Sequence, residues 1–328
     1  MRKYNHEFDE GPSELLRMKN GGSHPIDGDL DGDGFDGAEF EFLSANVIVD
    51  ESQETLFPAY TVRDYDGVKV AFIGMTLKGT PNVVLPTGVD GLSFNDEVQT
   101  VNLLIPILQK QGIESIVVLL HEGGLSDGGA NDCGSALVGP IADITAALDD
   151  AVDLVIAGHT NDEFICEIEG KWVTMADQWG RLFTQIDVIL NRKTKDMTVT
   201  NIVNNANIQK NVTPDAQLTD LINKYDEVSA EIANKVIGKI DADITKNTSM
   251  TGESKLGQLI ADSQLAYTAK PNKGGAVVAF MNKGGIRADF LYASSGSEAE
   301  GEVTFSEAFS VQPFNNNLIT MTLRSEEH

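Results

Sequence analysis

The chain has 328 residues, 41% of them hydrophobic, which is enough to bury one large or two ordinary hydrophobic cores. Acidic residues outnumber basic residues by 50 to 24, and the formal net charge of −26 argues against nucleic acid and anionic membranes as partners. This acidity fits a solvated surface in a salty or extracellular setting, and it also fits the binding of cations. The sequence has no apolar run long enough to span a membrane, and its first residues lack the order of a signal peptide.

The first two-thirds of the chain alternates short apolar runs, rich in β-branched residues, with amphipathic segments. The apolar runs are too short for helices and predict strands, and the segments between them predict helices. A hairpin is predicted over 59–75, with its turn at Asp66-Gly67. The other predictions are strands at 42–49, 114–120 and 153–158 and helices at 96–111 and 136–149. Strands that alternate with helices indicate an α/β sheet covered on both faces.

Two further hairpins, one over 164–176 with its turn at Glu169-Gly170 and one over 181–203, make the predicted sheet a mixed one. After Thr213-Pro214, a long amphipathic helix over 215–237 has the character of a connector between domains. A second domain then begins near Gly238. Its predicted elements are a helix at 255–269, a strand at 276–282, a short helix or turn near Phe305 and a strand at 317–323.

Side chains that can bind metals follow two of the predicted strands. His121 ends the run VVLLH, and His159 and Asn161 follow the run LVIAG. Because the carboxyl ends of parallel strands meet at one edge of an α/β sheet, these side chains are expected to converge. A lone histidine after a strand is usually structural, but two, each beside glycine or small residues, favour a ligand site. Near the chain start, Asn5 and His6 add donors that suit divalent cations.

The segment 27–40 is rich in glycine and aspartate. Asp29, Asp31 and Asp33 have the spacing of the first half of an EF-hand loop, but Phe40 stands where the twelfth position needs a glutamate. A calcium-binding loop and a solvated acidic loop are both compatible with this pattern.

The chain has two cysteines, Cys133 and Cys166, without the C-x-x-C spacing of a zinc or redox motif. Composition alone is compatible with two buried thiols in a cytosolic protein and with one disulfide.

The motifs NHEFDEG, LSANV, VLLHEGG and GHT, in this order, resemble the calcineurin-like metallophosphoesterases of the 5'-nucleotidase / 2',3'-cyclic phosphodiesterase type. The motifs GESKLGQLIADSQLAYT, FMNKGGIRADF and VQPFNNNLITMTL are similar to the carboxyl-terminal nucleotide-binding domain of that family. The resemblance covers nearly the whole chain. It implies a mixed-sheet α/β metallophosphoesterase sandwich over 1–212, a linker helix over 213–237 and a smaller α+β substrate-binding domain over 238–328.

The resemblance implies two divalent metal ions, which would be Zn, Mn, Mg, Fe or Co. Asn5, His121 and His159 would bind the second metal, and Asn161 would complete the shell of the first. Two neighbouring cations can activate a hydroxide and neutralise phosphoryl oxygens. Where the family often has His or Gln after GHT, the shorter amide of Asn161 implies a weaker first metal site.

The resemblance also implies a catalytic dyad of His6 and Asp9. The imidazole would stabilise the phosphoryl transition state or protonate the leaving alkoxide, and the carboxylate would hold its tautomer. The family supplies its bridging aspartate from D-x-H and G-D motifs that precede NHEFD, and this sequence has neither. We therefore expect the chain to begin midway through the catalytic domain and to end before a final helix and stacking aromatic residue.

A nucleotide site in the second domain follows from the same resemblance. Phe314 would stack on the base and Asn316 would hydrogen-bond nearby. Arg287 would bind phosphate, and Asn282, next to Gly284 in the NKGG turn, would reach the base. The ordinary alternatives are a core phenylalanine, a surface arginine and an asparagine that caps a turn.

Relatives with an NDCG segment have a second cysteine placed as Cys166 is, so the resemblance implies a Cys133–Cys166 disulfide and an exported enzyme. We expect a periplasmic, cell-surface or secreted location. The implied reaction is hydrolysis of nucleoside 5'-monophosphates to nucleoside and phosphate, with 2',3'-cyclic nucleotides and UDP-sugars as further candidate substrates. The alternative is a catalytically incomplete remnant that binds nucleotide or calcium without turnover. The sequence leaves the oligomeric state open.

Overall fold

The computed structural model describes residues 5–30, 32–314 and 316–324. These residues divide into two compact units, the first made of 5–29 and 33–213 and the second of 214–324 with residues 30 and 32. The domain boundaries predicted at 212 and 238 stay predictions. No helix within the described ranges is long and apolar enough to cross a membrane.

The first unit contains both helices and strands in alternation. Its helices are α1 (Pro12–Asn20), α2 (Glu97–Gln109) and α3 (Pro140–Ala147). Its strands are β1 (Val47–Val49), β2 (Tyr60–Tyr65), β3 (Val68–Thr76), β4 (Leu92–Phe94), β5 (Ser115–His121), β6 (Leu125–Ser126), β7 (Leu137–Val138), β8 (Leu154–Ile156), β9 (Glu163–Ile168), β10 (Lys171–Ala176), β11 (Leu182–Leu190) and β12 (Met197–Ala206).

A six-stranded sheet in the order β2-β3-β5-β8-β10-β9 organises the first unit. Strands β3, β5, β8 and β10 run parallel, and the edge strands β2 and β9 are antiparallel to their neighbours. The predicted mixed sheet is therefore confirmed. The predicted turns are also confirmed, because Asp66-Gly67 joins β2 to β3 and Glu169-Gly170 joins β9 to β10. All four turn residues have left-handed backbone, as a two-residue type I′ hairpin turn requires.

Both faces of the sheet are covered. Helices α2 and α3 pack on one face, where Val101, Ile105 and Ile141 join the main hydrophobic core. The β11–β12 hairpin covers the other face through side chains that include Met197 and Ile186. Strand β5 is consequently buried along nearly its whole length, which explains why it reads as a continuous apolar run.

The second unit has a smaller core. Its elements are α4 (Ala216–Ala233), β13 (Val236–Lys239), α5 (Lys255–Thr268), β14 (Glu302–Thr304) and α6 (Phe305–Val311). Strands β13 and β14 pair antiparallel. The buried cluster is formed by Leu256, Ile260, Ile286 and Val311.

Two strands predicted in this unit are wrong. Residues 276–282 and 317–323 form no strand in the structure. Their apolar side chains lie largely in solvent, with Val277 92%, Phe280 86% and Ile319 73% exposed. An apolar β-branched run predicts a strand only where a ladder partner and a buried face are present, and the described part of this unit supplies neither.

Candidate functional site

A short 3₁₀ helix over His6–Phe8 anchors the beginning of the described chain to the first unit. Phe8 is fully buried and packs edge-on against Phe94, with ring centroids 5.3 Å apart. Gly88 approaches so closely that a side-chain carbon there would lie 2.1 Å from the carbonyl oxygen of Phe8. This anchor fixes the positions of the polar residues on either side of Phe8.

His6 and Asp9 form a hydrogen-bonded pair at the surface. Nδ1 of His6 donates to Oδ2 of Asp9 over 2.9 Å, and the two residues are three positions apart in one turn. A carboxylate at Nδ1 fixes the tautomer of the imidazole and directs its chemistry to Nε2. The structure therefore brings together the two residues predicted as a dyad.

Asn5 and His121 meet although 116 positions separate them in the chain. Nε2 of His121 donates to Oδ1 of Asn5 over 3.0 Å, and both residues are buried. His121 is the last residue of β5, where it pairs with Thr76 at the end of β3. The contact therefore lies at the edge of the sheet where the parallel strands end.

His159 lies beside His121, on the loop after β8. The ring centroids of the two histidines are 5.1 Å apart, and the ring planes cross at 76°. His159 has a φ of 77°, a left-handed conformation that is uncommon for a residue other than glycine. The three residues predicted to share a metal are thus neighbours, with His121 between Asn5 and His159.

Glycine at position 123 allows the two histidine loops to approach each other. A side-chain carbon on Gly123 would lie 2.3 Å from the carbonyl oxygen of Gly158 and 2.4 Å from Oγ1 of Thr160. The loops are joined by two hydrogen bonds, from Thr160 Oγ1 to the Gly124 carbonyl at 2.7 Å and from Gly158 N to the Glu122 carbonyl at 3.0 Å. The HEGG and GHT motifs therefore form one interlocked structure.

These donors fit one side of a divalent metal site. Asn5 Oδ1 and His121 Nε2 lie 3.0 Å apart, close enough for both to bind one cation. Such a cation would replace the Nε2 proton of the hydrogen bond, because a ligating imidazole nitrogen carries no proton. Amide oxygen and imidazole nitrogen are neutral, however, and no three His, Cys, Asp or Glu side chains converge within the described ranges. The described residues thus supply neutral ligands without the anionic ligand that bridges two cations.

Asn161 lies two positions after His159, on the same loop. It is exposed and has a φ of 56°. The next residue, Asp162, fixes this loop because its Oδ2 accepts from the backbone N–H of Ser126 over 2.7 Å. The role of Asn161 in a metal shell stays a prediction.

Asn46 lies in the LSANV motif, and the sequence alone gives this residue no role. This fully buried side chain donates from Nδ2 to the Thr76 carbonyl over 2.7 Å and accepts at Oδ1 from the Thr76 N–H over 3.2 Å. The paired bonds fix Thr76, the strand neighbour of His121. An amide inside an apolar run was the available signal, because buried polar groups need partners.

The sequence gives no role to two further carboxyl groups, Glu122, which follows His121 in the chain, and Glu97 on α2. Burial raises the pKa of Glu122 above its ordinary value, and the charge of Glu97 raises it further, against the hydrogen bond from the Gly123 N–H. Glu97 is buried and accepts from the backbone N–H of Lys78. Both carboxyl groups line a cavity of about 620 Å³, together with Lys78.

Cys133 and Cys166 form a disulfide, so the alternative of two free thiols does not hold. Cys166 is buried on β9, and Cys133 lies in the loop between β6 and β7. The bridge therefore ties this loop to the edge strand of the sheet.

The acidic segment adopts a looped conformation in which Asp29 Oδ2 accepts from the Gly34 N–H over 3.0 Å. Asp33 lies within the described residues and Asp31 lies outside them. The calcium-binding alternative stays a prediction.

In the second unit, Arg287 and Phe314 are in contact. The guanidinium carbon of Arg287 lies 4.9 Å from the ring centroid of Phe314. Asn282 accepts at Oδ1 from the Gly284 N–H over 3.2 Å and caps a short 3₁₀ helix, which is its ordinary alternative role. Asn316 is exposed.

Residues 236–327 match the family model of the 5'-nucleotidase C-terminal domain. This part of the chain is similar to the 5'-nucleotidase C-terminal domain. The matched range includes the Arg287–Phe314 pair, the NKGG turn and the helix α5. The matched range thus contains every residue that the sequence predicted to bind substrate.

Other proteins are similar to this chain over the first unit as well. The endonuclease YhcR of Bacillus subtilis (strain 168) is 31% identical over 98% of the chain and 25% of its own length. The cell wall protein Lmo0130 of Listeria monocytogenes is 32% identical over 96% of the chain and 42% of its own length. The crystal structure of a 5'-nucleotidase precursor from Thermus thermophilus matches with a TM-score of 0.67 and 24% identity, over 95% of the chain and 57% of that structure.

These matches confirm the resemblance to 5'-nucleotidases and the predicted fold class. The chain spans between 25% and 57% of the length of these three proteins. The activities of those longer proteins are therefore only proposals for this chain.

Proposed function

We propose that the chain takes part in the metal-dependent hydrolysis of phosphate esters of nucleotides, converting nucleoside 5'-monophosphates to nucleoside and phosphate. The observation that carries the proposal is the junction of two contacts on consecutive residues. Asn5 meets His121 over 3.0 Å, and His6 meets Asp9 over 2.9 Å. A proposed metal ligand, Asn5, and the proposed acid/base imidazole of His6 are therefore adjacent residues.

In this proposal, Asn5, His121 and His159 hold one divalent cation, and Asn161 belongs to the shell of another. Bound cations would neutralise phosphoryl oxygens and lower the pKa of water to give a hydroxide nucleophile.

His6 supplies the acid/base chemistry. Its Nε2 stabilises the negative charge that develops on the phosphoryl oxygens or protonates the leaving alkoxide of the nucleoside. Asp9 keeps the proton on Nδ1 and stabilises the imidazolium form. The partial exposure of the pair supports access by a solvent-borne substrate.

The second unit would hold the nucleoside. Phe314 offers a π-face to the base, and Asn282 and Asn316 offer amide groups to its edge. Arg287 offers a guanidinium to phosphate. The match to the 5'-nucleotidase C-terminal domain supports these roles. The same chemistry extends to 2',3'-cyclic nucleotides and UDP-sugars.

One observation favours the alternative of a remnant that binds without turnover. The described residues provide no anionic ligand grouped with the two histidines. The disulfide and the cell wall relative, in turn, support a location outside the cytosol for either function.

The test is phosphate release from AMP by the purified chain with added Mn²⁺ or Zn²⁺. We expect His6→Asn to lower kcat by about 10²–10⁴-fold with KM largely kept, because general acid–base catalysis contributes about that factor. The control is His24→Asn, since Nδ1 of His24 lies 3.1 Å from Oδ2 of Asp27, three positions away in a different segment, but accepts from the Asp27 backbone N–H. This control should leave kcat unchanged.

Equal losses in the two variants would contradict the dyad. If the unmodified chain releases no phosphate from AMP, a 2',3'-cyclic nucleotide or UDP-glucose but binds nucleotide in a calorimetric titration, the remnant alternative is correct.

A further inference from the structure

Asp162 directly follows the segment 159–161 and contacts two other loops of the first unit. Its Oδ2 accepts from the backbone N–H of Ser126 over 2.7 Å, and Ser126 ends β6, just beyond the HEGG motif. Its carbonyl accepts from the backbone N–H of Asp177 over 2.9 Å, in the loop after β10. Because β5, β8 and β10 run parallel, Asp162 joins three loops at the edge where these strands end.

The backbone N–H of Asp162 is held by the sheet. It donates to Sδ of Met175 over 3.2 Å, and Met175 is buried on β10. The N–H, the carbonyl and the carboxylate of Asp162 thus each have a partner outside its own loop.

Ser126, the partner of the carboxylate, is itself fixed in place. Its Oγ donates to the Cys133 carbonyl over 2.9 Å and accepts from the Gly128 N–H over 3.0 Å. The disulfide to Cys166 ties Cys133 to the edge strand β9. The N–H of Ser126 is therefore a fixed donor, and the carboxylate that accepts from it is held with it.

The segment that precedes Asp162 has an unfavourable backbone. His159 has a φ of 77° and Asn161 a φ of 56°, both left-handed. Such conformations persist at residues other than glycine where surrounding contacts hold them, and they are common at functional sites. Thr160 is tied through Oγ1 to the loop after β5, and Asp162 is tied to the same loop through its carboxylate. Each strained residue therefore has an anchored neighbour.

We propose that Asp162 is a positioning residue, whose carboxylate keeps His159 and Asn161 in the conformation that binds metal. This inference rests on the proposed function, in which these two side chains are metal ligands. The carboxylate acts through its hydrogen bond from the Ser126 N–H, so the role requires an acceptor oxygen and no negative charge. Asparagine at position 162 keeps such an oxygen, and alanine removes it.

Zn²⁺ binding to the purified chain, measured by calorimetry, tests this role. Asp162→Ala should weaken binding by about 10–100-fold, the usual effect of removing a group that orients a metal ligand. Asp162→Asn should restore binding to near that of the unmodified chain. The matched control is Asp127→Ala, because Asp127 Oδ1 accepts from the Ser135 N–H over 2.7 Å within the segment between β6 and β7. This control should leave Zn²⁺ binding unchanged.

A metal-free measurement separates this inference from the proposed function. In EDTA, deuterium uptake over 157–163, followed by mass spectrometry, should rise in Asp162→Ala because the segment loses its bond to Ser126. Uptake should stay unchanged in Asp162→Asn and in Asp127→Ala. Raised uptake in Asp162→Ala, together with no Zn²⁺ binding by the unmodified chain, supports the positioning role and contradicts the proposed metal site.

Three results would overturn the inference. The first is unchanged uptake in Asp162→Ala, and the second is a loss of Zn²⁺ affinity in Asp127→Ala as large as in Asp162→Ala. The third is a loss of about tenfold or more in Asp162→Asn, which would make Asp162 an anionic metal ligand. This third result decides against the positioning role whether or not Asp162→Ala folds, as checked by circular dichroism.

Discussion

Asp153 makes the stability of the first unit depend on pH. The residue directly precedes β8, at the opposite edge of the sheet from His121, and its Oδ2 accepts from the Ile116 N–H over 2.8 Å. Burial raises its pKa from 3.8 to about 7, and the charge of Asp196 contributes in the same direction, against the hydrogen bond from Ile116. The folded protein therefore keeps a proton on Asp153 that the unfolded chain has lost.

The sign follows from proton linkage. Between pH values near 4 and 7, the folded state binds more protons than the unfolded state, so the free energy of unfolding falls as pH rises through this window. The difference between 3.8 and about 7 corresponds to about 4 kcal/mol as an upper limit. Asp153 is only partly buried, and solvent screening reduces this to about 2 kcal/mol.

The Asp153→Asn variant removes the ionisation and keeps an oxygen that can accept from Ile116. We expect it to exceed the original protein in unfolding free energy by about 2 kcal/mol at pH 8 and to give no gain at pH 4. Urea titrations followed by tryptophan fluorescence measure this, since both tryptophans lie in the first unit and Trp172 pairs with Leu154, next to Asp153.

The control is Asp66→Asn, at an exposed turn position that tolerates asparagine in its left-handed backbone. Its effect on unfolding should be independent of pH. A stability difference between Asp153→Asn and the original protein that stays constant from pH 4 to pH 8 would refute the reasoning.

Two further predictions concern the loops at the histidine edge. Gly123→Ala should lower the unfolding free energy of the first unit by about 1–3 kcal/mol and weaken Zn²⁺ binding measured by calorimetry. The control Gly129→Ala, at a position with open space around it, should change neither quantity. Equal effects of the two variants would contradict the close approach of the loops. Replacing Cys133 and Cys166 by serine should lower the unfolding free energy by about 3–4 kcal/mol for a separation of 33 residues, as measured in urea. A loss below about 1 kcal/mol would argue that the loop is held mainly by its hydrogen bonds.

Much of the first unit was predictable because local signals and the global fold agree there. The turns at Asp66-Gly67 and Glu169-Gly170 carry their own backbone chemistry. The approach of His121 and His159 follows from the rule that parallel strands end at one edge. In both cases the information lies within a few residues or in the strand pattern.

What escaped prediction depends on contacts between distant segments. Only the folded chain shows that the Asn46 side chain clamps the end of β3 or that Gly123 must lack a side chain. The strands predicted at 276–282 and 317–323 are absent for a related reason. Their local sequence pattern is that of strands, but in the described part of the chain neither segment pairs with another strand.

Backbone strain is concentrated at one end of the sheet. Of the eight non-glycine residues with positive φ within the described ranges, four, His159, Asn161, Asp177 and Trp179, follow β8 and β10. Thermostability screens of this protein should consequently favour glycine at these four positions, and glycine at His159 or Asn161 would remove a side chain proposed to bind metal. Attempts to make the protein more stable would do better to leave this edge of the sheet unaltered and to change residues at the opposite edge.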